Sequence, residues 1–230
     1  MEDRNLRDEL FSLLSEKGAK LVGAGDLTGI VADCCAVGVS VALPLPRHVV
    51  RDLQTAPTAE YYQLYHDLNR QLDDMVEAGA SFLRQRGYRA RANTTSAMSQ
   101  DEHWRTPLPH KTVATRAGLG WIGKNCLLVT PEYGGAVRLS SLVTDAPLPV
   151  SAPIEESRCG GCDLCAASCP AHALTGRLWR AGMEREALFH REICKKTQED
   201  RMEQATGIRA DLCGLCFAVC PYARRYSQQS

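Results

Sequence analysis

The sequence predicts an α+β protein with an N-terminal α/β lobe followed by a smaller, cysteine-rich lobe. Three observations support this fold class. Apolar residues recur at helical spacing in two N-terminal segments, short apolar runs lie between them, and eight of the eleven cysteines fall in the last third of the 230 residues. Prolines in the segment DAPLPVSAP mark a linker. We therefore expect the lobes at residues 1–150 and 157–230.

Charge and cysteine content narrow the possible functions. The 27 basic and 27 acidic residues balance, so no overall positive field predicts binding to nucleic acid or to an anionic membrane. The N-terminal stretch MEDRNLRDEL lacks the apolar run of a signal peptide, and no later segment is long and apolar enough to span a bilayer. These features predict a cytoplasmic protein without a membrane partner. In that compartment, cysteines bind metals more often than they form disulfides.

The N-terminal lobe begins with a predicted helix. Residues 3–17 carry leucines at spacings of three and four, and Gly18 follows as a stop. The stretch VGVSVALPLP then predicts a strand that runs into a proline-marked loop. Residues 58–86 repeat apolar side chains every three or four positions and close on Gly87, which predicts a long amphipathic helix.

The rest of this lobe is predicted to be a loop, a short helix and two strands. Residues 91–109 are polar and contain two prolines near their end, which predicts a loop. A short helix and a glycine turn follow. The apolar runs Cys126–Val129 and Val137–Val143 suit strands of one sheet.

The C-terminal lobe contains the spacing of bacterial ferredoxins twice. Four cysteines between residues 158 and 170 read C-x2-C-x2-C-x3-C-P, and three near the C-terminus read C-x2-C-x3-C-P. The leading cysteine of the second copy is displaced upstream to Cys194. It lies in MEREALFHREICKKTQEDRME, a predicted helix within residues 176–211. The lobe is therefore predicted to be ferredoxin-like, with two 4Fe–4S clusters.

This spacing also predicts which thiolates share a cluster. Three thiolates spaced by two residues wrap around one cluster, whereas the fourth lies beyond the turn and reaches the other cluster. The predicted ligands of cluster A are Cys159, Cys162, Cys165 and Cys220. The predicted ligands of cluster B are Cys169, Cys194, Cys213 and Cys216.

Structural zinc and disulfides are the alternatives for these eight cysteines. Structural zinc sites use four ligands in two pairs, whereas here a triplet is followed by three residues and Cys-Pro, which favours iron–sulfur clusters. The other three cysteines, Cys34, Cys35 and Cys126, lack partners at ligand spacing. We predict that they are small buried apolar residues, and a redox role for the adjacent pair is the alternative.

The stretch GLGWIGKN is the other candidate site. Its glycines permit a sharp turn and a close approach to a ligand, its lysine adds a positive charge, and its asparagine adds an amide. The stretch is neither a Walker loop nor a dinucleotide-binding fingerprint. A structural glycine turn after a helix is an equally good interpretation. The candidate corrinoid-binding or substrate-binding residues are Gly118, Gly120, Gly123, Lys124 and Asn125.

Together these motifs resemble the epoxyqueuosine reductase family. The stretches LPHKTVATRAGLGWIGKNCLLV, LVTDAPLP, CGGCDLCAASCPAHAL, CKKTQE and CGLCFAVCPYARR occur in the family's order and spacing. The resemblance covers roughly residues 21–224. It implies a cobalamin-dependent reductase that receives electrons through two 4Fe–4S clusters from a donor such as ferredoxin or flavodoxin. Family members remove an epoxide oxygen from a modified tRNA base, and reductive dehalogenases share related architecture.

Two features depart from the family. Family members carry an aspartate in a DSAP run that is thought to supply a proton, whereas alignment through Pro107 places Trp104 there. His110 is the candidate replacement because histidine transfers protons near neutral pH, although a polar residue in a proline loop is the simpler interpretation. We also expect a short form that lacks the family's C-terminal helical-repeat region, and with few basic residues in the tail we expect tRNA not to be a partner.

Three functions are therefore open from the sequence. The chain is predicted to be a short iron–sulfur reductase linked to a corrinoid and a small substrate. The second hypothesis is a non-catalytic electron-transfer protein that serves a partner, such as a corrinoid protein. The third is a true epoxyqueuosine reductase that acts on tRNA.

Overall fold

The computed structural model describes residues 2–31 and 35–229, which form two compact units. The first unit contains the residues up to Leu43 together with Asp67–Leu119 and Arg138–Ile154. The second contains Pro44–His66, Gly120–Val137 and the residues from Glu155 onward. The second unit thus includes two earlier segments besides the cysteine-rich part of the chain. The lobe boundaries drawn from the linker stay a prediction.

The helices and strands alternate irregularly along the chain, as expected for an α+β protein. The strands are β1 Leu21–Asp26, β2 Val37–Pro44, β3 Ala90–Asn93, β4 Trp121–Ile122, β5 Leu128–Val129 and β6 Val137–Thr144. The α-helices are α1 Glu2–Glu16, α2 Arg47–Asp52, α3 Ala59–Gln85, α4 His110–Arg116, α5 Leu164–Ala167, α6 Arg191–Thr206, α7 Leu215–Ala218 and α8 Pro221–Gln228. A single 3-10 turn covers Arg185–Ala187. None of the helices in the described residues is long and apolar enough to cross a membrane.

A four-stranded sheet with the order β1-β2-β6-β3 forms the centre of the first unit. Strands β1 and β2 pair antiparallel, with Leu21 opposite Ala42, and β3 pairs antiparallel with β6. Helices α1 and α4 pack against β1. The core is built from the apolar faces of α1 and β2, which include the fully buried Leu10, Leu14 and Val39. The helices predicted at residues 3–17 and 58–86 and the strand in VGVSVALPLP are confirmed within two residues at each helix end.

The second unit combines a two-stranded sheet of β4 and β5 with short helices. Helix α5 packs against α7, and α8 packs against both α7 and α2. Two long-range hydrogen bonds fix α8: the Tyr226 hydroxyl donates to the Leu45 carbonyl at 2.8 Å, and the Arg51 guanidinium donates to the Ser227 carbonyl at 2.6 Å. These contacts position the last cysteine of the chain, Cys220, which immediately precedes α8.

Several secondary-structure predictions were wrong. The two apolar runs do not share a sheet, because Leu128–Val129 pairs with Trp121–Ile122 whereas Val137–Thr144 joins the larger sheet. The predicted loop from residue 91 begins with β3, whose polar sequence ARAN forms a strand through its pairing with β6. Strand β1 was not predicted. The helix that carries Cys194 begins at Arg191, after the separate 3-10 turn.

Candidate metal centre

The first cysteine run folds as a loop that leads into a short helix. The Cys162 amide donates to the Cys159 carbonyl at 3.2 Å, which closes a turn between the first two cysteines. Cys165 lies on α5, and the Cys169 amide donates to the Ala166 carbonyl at 3.3 Å just after that helix. A spacing of two residues thus returns successive thiols to neighbouring positions, while Cys169 lies beyond the helix.

The second run repeats this local structure. Cys213 precedes α7 and Cys216 lies on it. Cys220 is the N-cap residue of α8, and Pro221 occupies the first helical position, where its missing N–H costs nothing. Cys194 lies in the first turn of α6. The Cys-Pro pair therefore begins α8 in a fixed geometry.

The structure brings four of the thiols together around Cys165. Burial first, and then repulsion by the neighbouring thiols of Cys159, Cys220 and Cys162, together raise the pKa of Cys165 to about 11. The pKa of Cys220 is likewise raised by burial, and then by the thiols of Cys159 and Cys162. These four cysteines are the set predicted for cluster A.

The remaining four thiols form a second set. The pKa of Cys194 is raised by burial first, and then by the thiols of Cys169 and Cys213. The partly buried thiol of Cys216 has its pKa raised well above the usual value by burial, and then by the thiols of Cys213, Cys194, Cys165 and Cys169. This set is the one predicted for cluster B. The two sets adjoin, because the thiol of Cys165 in the first set also raises the pKa of Cys216 in the second.

This donor set fits iron–sulfur clusters. All ten described cysteines are free of disulfides. Four ionised thiols in a partly buried position repel one another unless cations neutralise them, and a 4Fe–4S cluster offers one iron to each of four thiolates. No group of three or more His, Cys, Asp or Glu residues in the described part of the chain is arranged to hold a single metal ion.

One polar contact to the second set was missed by the sequence analysis. The Gln198 side-chain amide donates to the Cys194 sulfur at 3.2 Å. Both residues lie on α6, four positions apart, so they occupy one face of that helix. This spacing is a signal that a search along the predicted helix could have found. Hydrogen bonds to ligand sulfur influence the reduction potential of a cluster.

The Trp121 ring contacts two residues that flank cysteines of the first set in the sequence. Its ring lies edge-on to Tyr222 with centroids 5.1 Å apart, and the Arg158 guanidinium is 5.8 Å from its centroid. Arg158 precedes Cys159, and Tyr222 follows Cys220 by two residues. The indole is almost completely buried, and its Nε1 has no hydrogen-bond partner among the described residues. A buried donor without a partner is unusual in a folded protein and fits a neighbouring acceptor that the chain itself does not supply.

The glycine turn contains residues that already have contacts within their own units. Gly118 follows α4 in the first unit with a φ of +72°, the left-handed conformation that ends many helices. In the second unit, a Cβ on Gly120 would lie 2.2 Å from the Val129 carbonyl oxygen, and a Cβ on Gly123 would lie 2.7 Å from Oδ1 of Asn125. These contacts support the structural interpretation of the turn and reveal no cradle for a corrinoid.

Lys124 and Asn125 are buried as well. Asn125 Oδ1 accepts a hydrogen bond from the Leu127 amide at 3.2 Å, which stabilises the turn into β5. The Lys124 ammonium donates to Oδ1 of Asp163 at 2.5 Å. Asp163 lies between Cys162 and Cys165, so the lysine of the glycine turn contacts the first cysteine loop. A corrinoid-binding role for the five residues of the turn stays a prediction.

His110 lies at the start of α4 in the first unit. Its Nδ1 is 2.9 Å from the Ser141 hydroxyl on β6. The pKa of His110 is lowered to about 4, by burial first and then by the Arg138 charge, while the Asp73 charge partly opposes both. The ring is therefore neutral at pH 7, which does not suit a proton donor. His103, the other histidine of this segment, lies exposed beside Glu102.

We expect His110 to make the protein less stable in acid. Its pKa is lower in the folded state than the ordinary 6.5, so the unfolded chain binds more protons between pH 6.5 and 4, and stability falls as the pH falls. Between pH 7 and 5 the loss should be about 2 kcal/mol of unfolding free energy. Urea unfolding should show a flatter pH dependence in His110→Gln than in the parent, while the exposed His103→Gln should match the parent. An equally steep dependence in His110→Gln would contradict the assignment.

The chain is similar to several known proteins. Residues 158–223 match the family described as 4Fe-4S double cluster binding domain. The epoxyqueuosine reductase of Bacillus cereus is 36% identical over 116 residues, which are 50% of this chain and 29% of the relative. The epoxyqueuosine reductase of Synechococcus sp. (strain RCC307) is 32% identical over 202 residues, which are 84% of this chain and 58% of the relative. The chain thus spans less than two thirds of the length of either relative.

Solved structures share the fold. An epoxyqueuosine reductase with an epoxyqueuosine-modified tRNA stem loop matches 96% of this chain and 66% of that chain, with a TM-score of 0.63 and 21% identity. A reductive dehalogenase described with a mechanism for B12-dependent dehalogenation matches 98% of this chain and 34% of that chain, with a TM-score of 0.73 and 18% identity. The predicted α+β fold with a double-cluster domain is confirmed.

Proposed function

Because this chain is related to the epoxyqueuosine reductases, we propose that it is an iron–sulfur reductase that carries electrons through two 4Fe–4S clusters to an acceptor. The observation that supports this most directly is the gathering of eight thiols into two adjoining sets of four. Cluster A would be held by Cys159, Cys162, Cys165 and Cys220. Cluster B would be held by Cys169, Cys194, Cys213 and Cys216.

When bound, each cluster supplies one-electron transfer. The surrounding residues of the chain influence the reduction potential of the cluster. The thiol of Cys216 is partly buried, which limits the access of water to that side of the second set. The Gln198 side-chain amide donates a hydrogen bond to the Cys194 sulfur. The Trp121 indole N–H, which has no partner among the described residues, lies beside residues that flank the first set. These groups favour added negative charge on the sulfur atoms. Reduction adds such charge.

The final acceptor is proposed to be a corrinoid, bound by this chain or by a partner protein. The B12-dependent dehalogenation ascribed to the fold relative supports this choice. The residues of the glycine turn are engaged within the protein and do not form a fitting corrinoid cradle, so no reaction step is assigned to such a group. A small reduced donor such as ferredoxin or flavodoxin would supply the electrons.

A modified tRNA is the second candidate substrate. The expectation that tRNA is not a partner is weakened by the epoxyqueuosine reductase solved with a modified tRNA stem loop, although that chain is longer than this one. The third candidate function is that of a non-catalytic electron-transfer protein that serves a partner. It predicts intact clusters without any substrate turnover.

Anaerobic reconstitution tests the proposal. The purified chain should take up about eight iron and eight acid-labile sulfide, and the reduced protein should give the electron paramagnetic resonance signals of two 4Fe–4S clusters. Zinc in place of iron, or the absence of a cluster spectrum, would overturn it. Optical titration with cobalamin then tests the acceptor. Binding of an epoxyqueuosine-modified stem loop across salt concentrations tests the tRNA candidate, because phosphate contacts weaken steeply with salt.

A further inference from the structure

Lys124 is a buried cation in the second unit that the proposed electron path does not require. Its side chain exposes 7% of its surface, and Asp163 is its hydrogen-bond partner among the described residues. An ammonium group has three N–H donors, and removing it from water costs several kcal/mol unless it is paired. One partner satisfies only one of these donors. A lysine in this position therefore needs an explanation beyond filling space.

Asp163 binds this lysine and does not cap its helix. It is the N-cap residue of α5, where an aspartate usually accepts a hydrogen bond from the helix backbone. Here its side chain makes no capping bond, and its carboxylate contacts the Lys124 ammonium instead. Asp163 lies directly after Cys162 and two residues before Cys165. The contact thus ties the ammonium to the loop that carries the first cysteine set.

The two charges of this pair are screened unequally. The Asp163 side chain is 62% exposed, whereas the Lys124 side chain is 7% exposed. Water screens an exposed charge far more effectively than a buried one. Although the pair is neutral in sum, its buried positive end therefore dominates the field that the pair exerts on the loop that carries Cys162 and Cys165. A positive field favours the reduced form of a cluster, which carries one more negative charge.

We propose that Lys124, held by Asp163, is a positioning residue that raises the reduction potential of the cluster bound by Cys159, Cys162, Cys165 and Cys220. The inference rests on the proposed function, because it requires that this set holds a cluster. It assigns the lysine of the glycine turn to electron transfer within the protein. In this role Lys124 acts through its charge.

Redox titration of the reconstituted full-length chain tests this inference, with electron paramagnetic resonance as the readout. Lys124→Met should shift one of the two clusters to a more negative potential. We expect at least a tenfold change in the ratio of reduced to oxidised cluster at fixed potential, which is about 59 mV for a one-electron couple. Asp163→Asn should shift the same cluster in the positive direction, because the buried ammonium then lacks its opposing charge. The other cluster should move much less.

Lys20→Met is the control, because it removes one lysine that is exposed in the first unit and should leave both potentials unchanged. Unshifted potentials in a Lys124→Met protein with full iron content, or shifts of the same sign in both single variants, would overturn the inference. If Lys124→Met fails to retain iron, Lys124→Gln, which removes the charge but keeps a hydrogen-bond donor for Asp163, decides, and an unchanged potential there refutes the role. A parent chain without clusters would instead refute the proposed function.

Discussion

The Cys213→Ala variant is expected to retain about half of the iron and sulfide of the parent protein, roughly four of each per chain. Cys213 belongs to the set in which its thiol raises the pKa of both Cys194 and Cys216. Removing one of four thiolates leaves one iron of the cluster without its protein ligand. Because metal binding and folding are coupled in small metal-binding lobes, the second unit should also lose much of its stability.

Iron analysis and electron paramagnetic resonance of the reconstituted variant measure this effect. Cys35→Ala is the matched control, since Cys35 is buried beside Leu27, Val113 and Val143 in the first unit. It should hold all eight iron atoms and lose only a small amount of packing energy. A Cys213→Ala protein that still bound a full iron complement would show that the ligand assignment is wrong.

The assignment of the eight cysteines to two clusters stays a prediction, and it starts from geometry that is local to each run. In C-x2-C-x2-C the chain between ligands is so short that the loop has few ways to arrange three thiols, and the Cys-Pro pair fixes how the next segment starts. The displaced Cys194 was placed correctly in a helix, although its helix begins later than predicted. The helices α1 and α3 were predictable for a similar reason, since their apolar spacing repeats over many turns.

Other features depend on partners distant in sequence. Strand β3 has the polar sequence ARAN and owes its conformation to pairing with β6, about fifty residues downstream. Strands β4 and β5 have two residues each, too few to show any periodicity. The contact between Lys124 and Asp163 joins the glycine turn to a cysteine loop 39 residues away. Neither residue shows this partner in its local sequence.

The three cysteines outside the two sets were predicted to be small buried apolar residues. Cys35 is buried in an apolar cluster, in agreement with its predicted role as a small apolar residue. Cys34 lies outside the described residues, so the redox alternative for the pair stays a prediction. Cys126, the last cysteine outside the two sets, is also buried. Its backbone has a φ of +60°, an uncommon value for a residue other than glycine.

The glycine turn allows the structural and ligand-binding interpretations to be separated by one substitution. Gly120→Ala is expected to destabilise the protein by about 3 kcal/mol, because overpacking a filled site forces the backbone to move. The added Cβ would lie 2.2 Å from the Val129 carbonyl oxygen, across the pairing of β4 with β5. Separation of these strands should also displace Trp121, the first residue of β4. Urea unfolding without added corrinoid, followed by tryptophan fluorescence, measures both effects.

Gly161→Ala is the control for this substitution. A Cβ there would meet no atom within 4 Å, so we expect the stability of this variant to equal or slightly exceed that of the parent. The ligand-binding interpretation makes the opposite prediction for Gly120→Ala, namely normal stability together with weakened cobalamin uptake. If that combination were observed, the close packing of the turn on β5 would not be the reason for glycine at this position. Loss of stability in the absence of any corrinoid would instead show that Gly120 is needed to build the turn that carries Lys124 toward the first cysteine loop.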